Sequence, residues 1–411
     1  MRKEEKGITL VALIITIVVM LILVAVSINV IVNSNLIGHT EKTGEAYAGA
    51  IKNEEKLGND GITINDKEYA SIDDYIESRK PLPEGAGKKF TETKEYTDGT
   101  KTAVIPGGFT VSGIRKETTI DEGLVIYLIP NDEIENVKWD GTEKTKYDQF
   151  VWIPVTNVNK MFMCQAKTES DSGCDLKIEG NEVICQTHKT ADATKSKKMA
   201  GRLYADSNWK FAPSLTTQTY NANSGLREPA IVTGKADGTG TKYDGNNTDN
   251  NIGLTLTTLQ EEYNNAVKKV IESKGFWIGR YETSGMNSSN DDIAVNIVAG
   301  KGTSDGINNV NWYRMYKQQQ NYVSKKNLDP SKIQSTMVFG AAYDQTMIFA
   351  NCANETTPTK DSSTVITGNV ETDCYKNIYD LCGNLNEWTI EAYNTNRRVF
   401  RGRQFSRQFF C

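Results

Sequence analysis

The 411-residue chain has no excess of basic charge, almost no histidine and no closely spaced cysteine pair. Its 47 Lys and Arg stand against 52 Asp and Glu, a net charge of -5, which excludes a basic nucleic-acid binder. The even mixture of signs also excludes a disordered acidic tail, and the negative mean hydropathy excludes a polytopic membrane protein. His39 and His188 are the two histidines; they belong to no visible triad and are expected to be solvated. The seven cysteines, Cys164, Cys174, Cys185, Cys352, Cys374, Cys382 and Cys411, contain no Cys-x-x-Cys, so zinc is not expected. Outside a cell they could form disulfides, with one thiol left over because seven is odd. No P-loop or dinucleotide fingerprint is present, and the Gly-rich stretches read as turns.

Charge is missing altogether from Ile8 to Val32, where only Thr9, Thr16, Ser27 and Asn29 interrupt apolar residues. A helix of that length reaches ~37 Å at ~1.5 Å per residue, more than the ~30 Å hydrocarbon core of a bilayer. Beyond it the sequence stays helix-compatible to about Leu57, with a sparse apolar stripe through Leu36, Ile37, Tyr47, Ala50 and Ile51. The junction Lys6-Gly7-Ile8-Thr9-Leu10-Val11 resembles the class III signal of type IV prepilins. That resemblance implies a leader over 1–7, cut by prepilin peptidase after Gly7, with Ile8 as the methylated mature terminus. It further implies other pilin subunits and the cytoplasmic membrane as partners, with residence in that membrane before assembly and at the extracellular surface or pilus afterwards. The family places glutamate at the fifth mature position; Ala12 stands there, which favours a minor or tip subunit over a major pilin.

Residues 58–96 read as a connector, in which Ser71-Ile-Asp-Asp74 offers a capping box for a helix to about Arg79 and Pro81 to Gly87 forms a linker. From 97 onward short β runs are broken by Gly, Asn and Asp: Thr102 to Ile105, Gly108 to Val111, Gly123 to Ile129 and Gln149 to Val155. Helices are expected over Leu259 to Ser273 and about Ala341 to Ala350. The pattern predicts an α+β chain: a long N-terminal hydrophobic helix (8–57, with 8–32 spanning the membrane) and a globular domain over 97–411 whose long Asn-rich loops carry function.

Tyr379-Asp-Leu-Cys-Gly-Asn-Leu-Asn-Glu-Trp-Thr389, followed by Arg398-Val-Phe-Arg-Gly402, resembles the signature of sulfatase-modifying-factor, or formylglycine-generating-enzyme-like, domains. Phe150 to Pro154, Gly275 to Thr283 and Met337 to Asp344 match further motifs in family order. The resemblance implies a C-type-lectin-like fold with Asp380, Gly383, Asn384, Glu387, Trp388, Arg401 and Gly402 as its framework. It also implies a calcium site on Gly383, Leu385 and Glu387, the alternative being a purely structural turn. The catalytic members carry a cysteine pair after the Arg-Gly motif; here that segment holds only Cys411, so the chain is not expected to be an enzyme. The expected function is therefore that of a minor or tip pilin-like surface protein whose domain binds a glycan or protein ligand for adhesion. A structural pilin or pseudopilin without a ligand is the alternative. Ligand contacts are expected within Asn394 to Cys411, the stretch that varies in lectin-like targets of diversity-generating retroelements, although a truncated reading frame would give the same ending.

Overall fold

The computed structural model describes residues 62–64, 67–141, 146–166, 173–202, 226–227, 229–233, 249–284, 293, 295, 311–351, 368, 374–381, 387–394 and 397–401. Among these, no helix is long and apolar enough to cross a membrane. The expectation of a long hydrophobic N-terminal helix is thereby corrected: helices and strands are mixed, the sheets are small, and the longest helix among the described residues has 18 residues with polar side chains on its outer face. The stretch 8–57, on which that expectation rested, lies outside the described residues.

The chain divides into two units, one ending at Pro81 and one beginning at Leu82. In the first, β1 (Ile62–Ile64) and β2 (Lys67–Tyr69) form an antiparallel hairpin followed by α1 (Ile72–Arg79), where the sequence places a short helix. The ring of Tyr69 meets that of Tyr75 edge-on.

The second unit opens with β3 (Lys94–Thr97) and β4 (Thr102–Ile105), a hairpin turned by Asp98. Next come β5 (Thr110–Val111), β6 (Val125–Leu128) and β7 (Asp148–Pro154). The one-turn helix α2 (Val158–Met161) leads into β8 (Phe162–Cys164), the hairpin β9 (Leu176–Glu179) and β10 (Glu182–Cys185), then β11 (Met199–Arg202) and β12 (Leu226–Arg227). After them run α3 (Leu256–Ser273), β13 (Gly275–Gly279), α4 (Trp312–Lys325) and α5 (Gly340–Ala350). The chain closes with the hairpins β14 (Cys374–Tyr375) with β15 (Ile378–Tyr379), and β16 (Glu387–Asn394) with β17 (Arg397–Arg401).

The largest sheet, antiparallel in the order β13-β7-β6-β5, is buried on both faces. Successive side chains of a strand point to opposite faces, so Val125, Tyr127, Val151 and Ile153 enter one core cluster while Ile126 and Trp152 enter another. Removing water from both faces makes these strands near-continuously apolar, which is why they were visible in the sequence. Helix α3 starts at a capping box in which the Thr255 and Thr258 side chains each bond the other's backbone N–H, and its stripe of Leu259, Tyr263, Val267 and Val270 enters the third cluster. It ends at Lys274 in a left-handed conformation (φ 57°). At the adjoining Gly275 an added Cβ would stand 2.2 Å from the Trp152 ring, so only glycine lets β13 meet β7 there.

Candidate metal centre and ligand cleft

Three cysteines separated by nine and ten residues are brought to one histidine. Pairing of β8 with β11 sets Cys164 opposite Met199, and the β9–β10 register sets Cys185 opposite Leu176. That hairpin is prolonged by Gln186 N–H donating to the Asp175 carbonyl at 2.8 Å, which draws Cys174 alongside Cys185. The chain then turns so that His188 Nδ1 lies 3.1 Å from Cys185 Sγ, 3.3 Å from Cys164 Sγ and 3.8 Å from Cys174 Sγ. All four ligand atoms lie within 4.8 Å of one another, and every one of the residues is buried. The group can hold a metal ion.

The sulfurs also compete for protons. A hydrogen bond from the Cys164 thiol holds Cys174 down at about 5 against the opposing cost of burial, whereas Cys164 is pushed far above the ordinary thiol range by the same bond and by burial.

Two expectations change here. His188 is not solvated but 4% exposed, and the missing Cys-x-x-Cys did not exclude a soft-metal site, because sheet pairing assembles what local spacing does not. The one local trace was Cys185-Gln-Thr-His188. Calcium prefers oxygen donors, so a sulfur and nitrogen cluster is no site for it. Gly383 and Leu385 of the expected calcium turn lie outside the described residues, as do Asn384, Gly402 and the processing pair Gly7 and Ile8.

Four of the residues expected as framework, Asp380, Glu387, Trp388 and Arg401, are among the described ones. Asp380 adopts φ 61° and is buried, with its Oδ2 accepting the Gly368 N–H at 2.9 Å. Arg401 is buried and held by Glu391 through two bonds of 2.8 Å, and it reaches Asp344 at 3.1 Å. The carboxylate of Glu391 lies against Gly340 at the start of α5, where an added Cβ would come within 2.2 Å of it and where the helix dipole favours negative charge. Two other buried arginines repeat the theme. Arg280 pairs with Glu117 at 2.7 Å and donates to Tyr127 and Gln149; Arg398 pairs with Asp249 at 2.6 Å while lying 3.9 Å over the Trp312 ring. Thus Arg398 and Arg401, the described charged side chains of the stretch expected to touch ligand, face inward as scaffold.

A cleft of about 1220 Å³ opens beside β13 and α4. Glu387 and Trp388 line it, together with Phe276, Trp277, Glu282 and Gln319. Gln319 donates to Thr283 Oγ1 at 3.2 Å, and Trp277 Nε1 to the Val104 carbonyl at 3.0 Å. No protein-family model, no curated protein and no solved structure matches the chain.

Proposed function

We propose that the body from Leu82 onward is a non-enzymatic binding module of a pilin-like surface protein, and that its ligand is a carbohydrate chain held in the cleft beside β13. The observation that carries this reading is the lining: half-buried Phe276 and Trp277 offer flat apolar faces, and Glu282, Thr283 and Gln319 beside them offer hydrogen-bonding groups. Ligand sites are concave, mostly apolar and equipped with a few polar groups that fix orientation. The cleft is larger than the ~300–1,000 Å³ of pockets for single small molecules, which suits several linked sugar units. Placement at the surface rests on the Lys6-Gly7-Ile8 junction, with prepilin peptidase, pilin subunits and the cytoplasmic membrane as the partners it implies.

A glycan array probed with the purified chain and with Gln319→Ala and Glu282→Gln tests the cleft. Selective binding that falls at least tenfold in either variant supports it, and uniform failure of the folded protein leaves the structural-subunit reading in its place. The mass of the amino-terminal peptide from surface material tests the other half: an intact Met1, or a cut away from Gly7, removes the pilin reading. A calcium ion at Glu387 belongs to the same proposal and predicts a calcium-dependent rise in Tm that Glu387→Ala abolishes.

A further inference from the structure

We propose that Cys164, Cys174, Cys185 and His188 bind one Zn²⁺ in a closed tetrahedral site that staples the β8–β11 region. With Zn–S near ~2.3 Å and Zn–N near ~2.0–2.1 Å, a tetrahedron has sulfur–nitrogen edges of about 3.6 Å. The three edges to Nδ1 in the structure, 3.1, 3.3 and 3.8 Å, bracket that value. A disulfide would account for two of the three sulfurs and leave the third, and the imidazole, without a purpose. One tetrahedral ion uses all four.

Softness selects the metal, since three thiolates and one imidazole suit zinc and repel calcium or magnesium. Four protein ligands leave no open position for water or substrate, so the ion is structural. What it holds is local. Cys164 ends β8, Cys185 ends β10, and Cys174 and His188 lie in the connections around the β9–β10 hairpin; that hairpin is two strands of four residues, which alone is marginal in water. Binding makes metal affinity part of the folding free energy of this region.

The full-length chain, purified without chelator from zinc-containing medium, should carry about one zinc per chain by elemental mass spectrometry. Exchange with Co²⁺ should give the intense visible bands of tetrahedral thiolate coordination. Cys185→Ser and Cys174→Ser should lose the metal, and Cys374→Ser should keep it. His188→Cys preserves a four-ligand set and should retain one zinc with a shifted cobalt spectrum, which keeps the test sound if the serine variants do not fold. A zinc-free chain without cobalt bands, or a peptide map showing a disulfide among the three cysteines, overturns the proposal. These outcomes are independent of whether the cleft binds carbohydrate.

Discussion

The Cys164–His188 cluster and the Arg401 cluster both bury polar side chains away from water, and they do so in opposite ways. Arg401 brings its own positive charge to Glu391 and Asp344, so the group is complete with protein atoms alone. The thiol cluster gathers three acids and a base without a strong cation among the four, and becomes complete only when an ion supplies the charge. A buried charge without a partner costs several kcal/mol, so the two regions should differ in what removes them: one by mutation of a partner, the other by a change of medium.

The largest expected effect separates the regions directly. Chelation should strip protection from backbone amides of 162–166 and 173–202 in hydrogen exchange while leaving 276–280, 388–394 and 397–401 protected; structural zinc contributes on the order of 10 kcal/mol in small sites. Equal loss in both regions would erase the distinction. Next, Arg401→Ala leaves two buried carboxylates facing each other and should cost about 3–5 kcal/mol in denaturant unfolding, with the loss partly recovered when Glu391→Gln and Asp344→Asn are added. A cost below ~1 kcal/mol would mean the cluster is no lock.

A smaller effect tests helix α3, which joins the thiol region to α4. Glu262 of α3, bonded by Tyr316 and Gln320, is raised by burial to about 7 from its ordinary value of 4.5. The folded state therefore holds a proton that the unfolded chain has already released between those values, so stability falls as pH rises through that window, by on the order of 3 kcal/mol. Glu262→Gln should flatten that part of the Tm profile; an unchanged slope would assign it to other groups. Finally, Thr255→Val removes the α3 cap and should cost ~1 kcal/mol, felt on the thiol side, since Gln260 and Asn264 of α3 hold Met199 and Lys197 there.

What could be seen in the sequence follows from how local its causes are. The buried strands β4, β6 and β7 and the helix α3 carry their own periodicity, α5 is a short apolar run buried nearly all round, and each was placed to within a few residues. Arg401 and Trp388 were expected as framework from the motifs around them; Arg401 is buried between Glu391 and Asp344, while Trp388 lines the cleft. Helix α4 was missed. Its apolar stripe is made of Trp312, Met315, Tyr322 and Val323 broken by three glutamines, and aromatic residues signal strand as readily as helix. The group of three cysteines and His188 was hidden for a different reason: spacings of nine and ten residues mean nothing until strand register closes them. The cleft is likewise a product of packing between elements far apart in the chain.

Asn377 sits in the turn between β14 and β15, and its side-chain amide donates to the carbonyls of Lys116, Glu122 and Gly123 at 3.1, 3.0 and 2.7 Å. There φ is 92° at Gly123, and a Cβ would overlap the Lys376 carbonyl. These contacts join residues more than 250 positions apart. During synthesis the early strands must therefore wait, at ~5–20 residues per second, for a turn made more than ten seconds later before that edge can close. Until then the carbonyls of Lys116, Glu122 and Gly123 lack that amide, and the last third of the chain sets when the first third is finished.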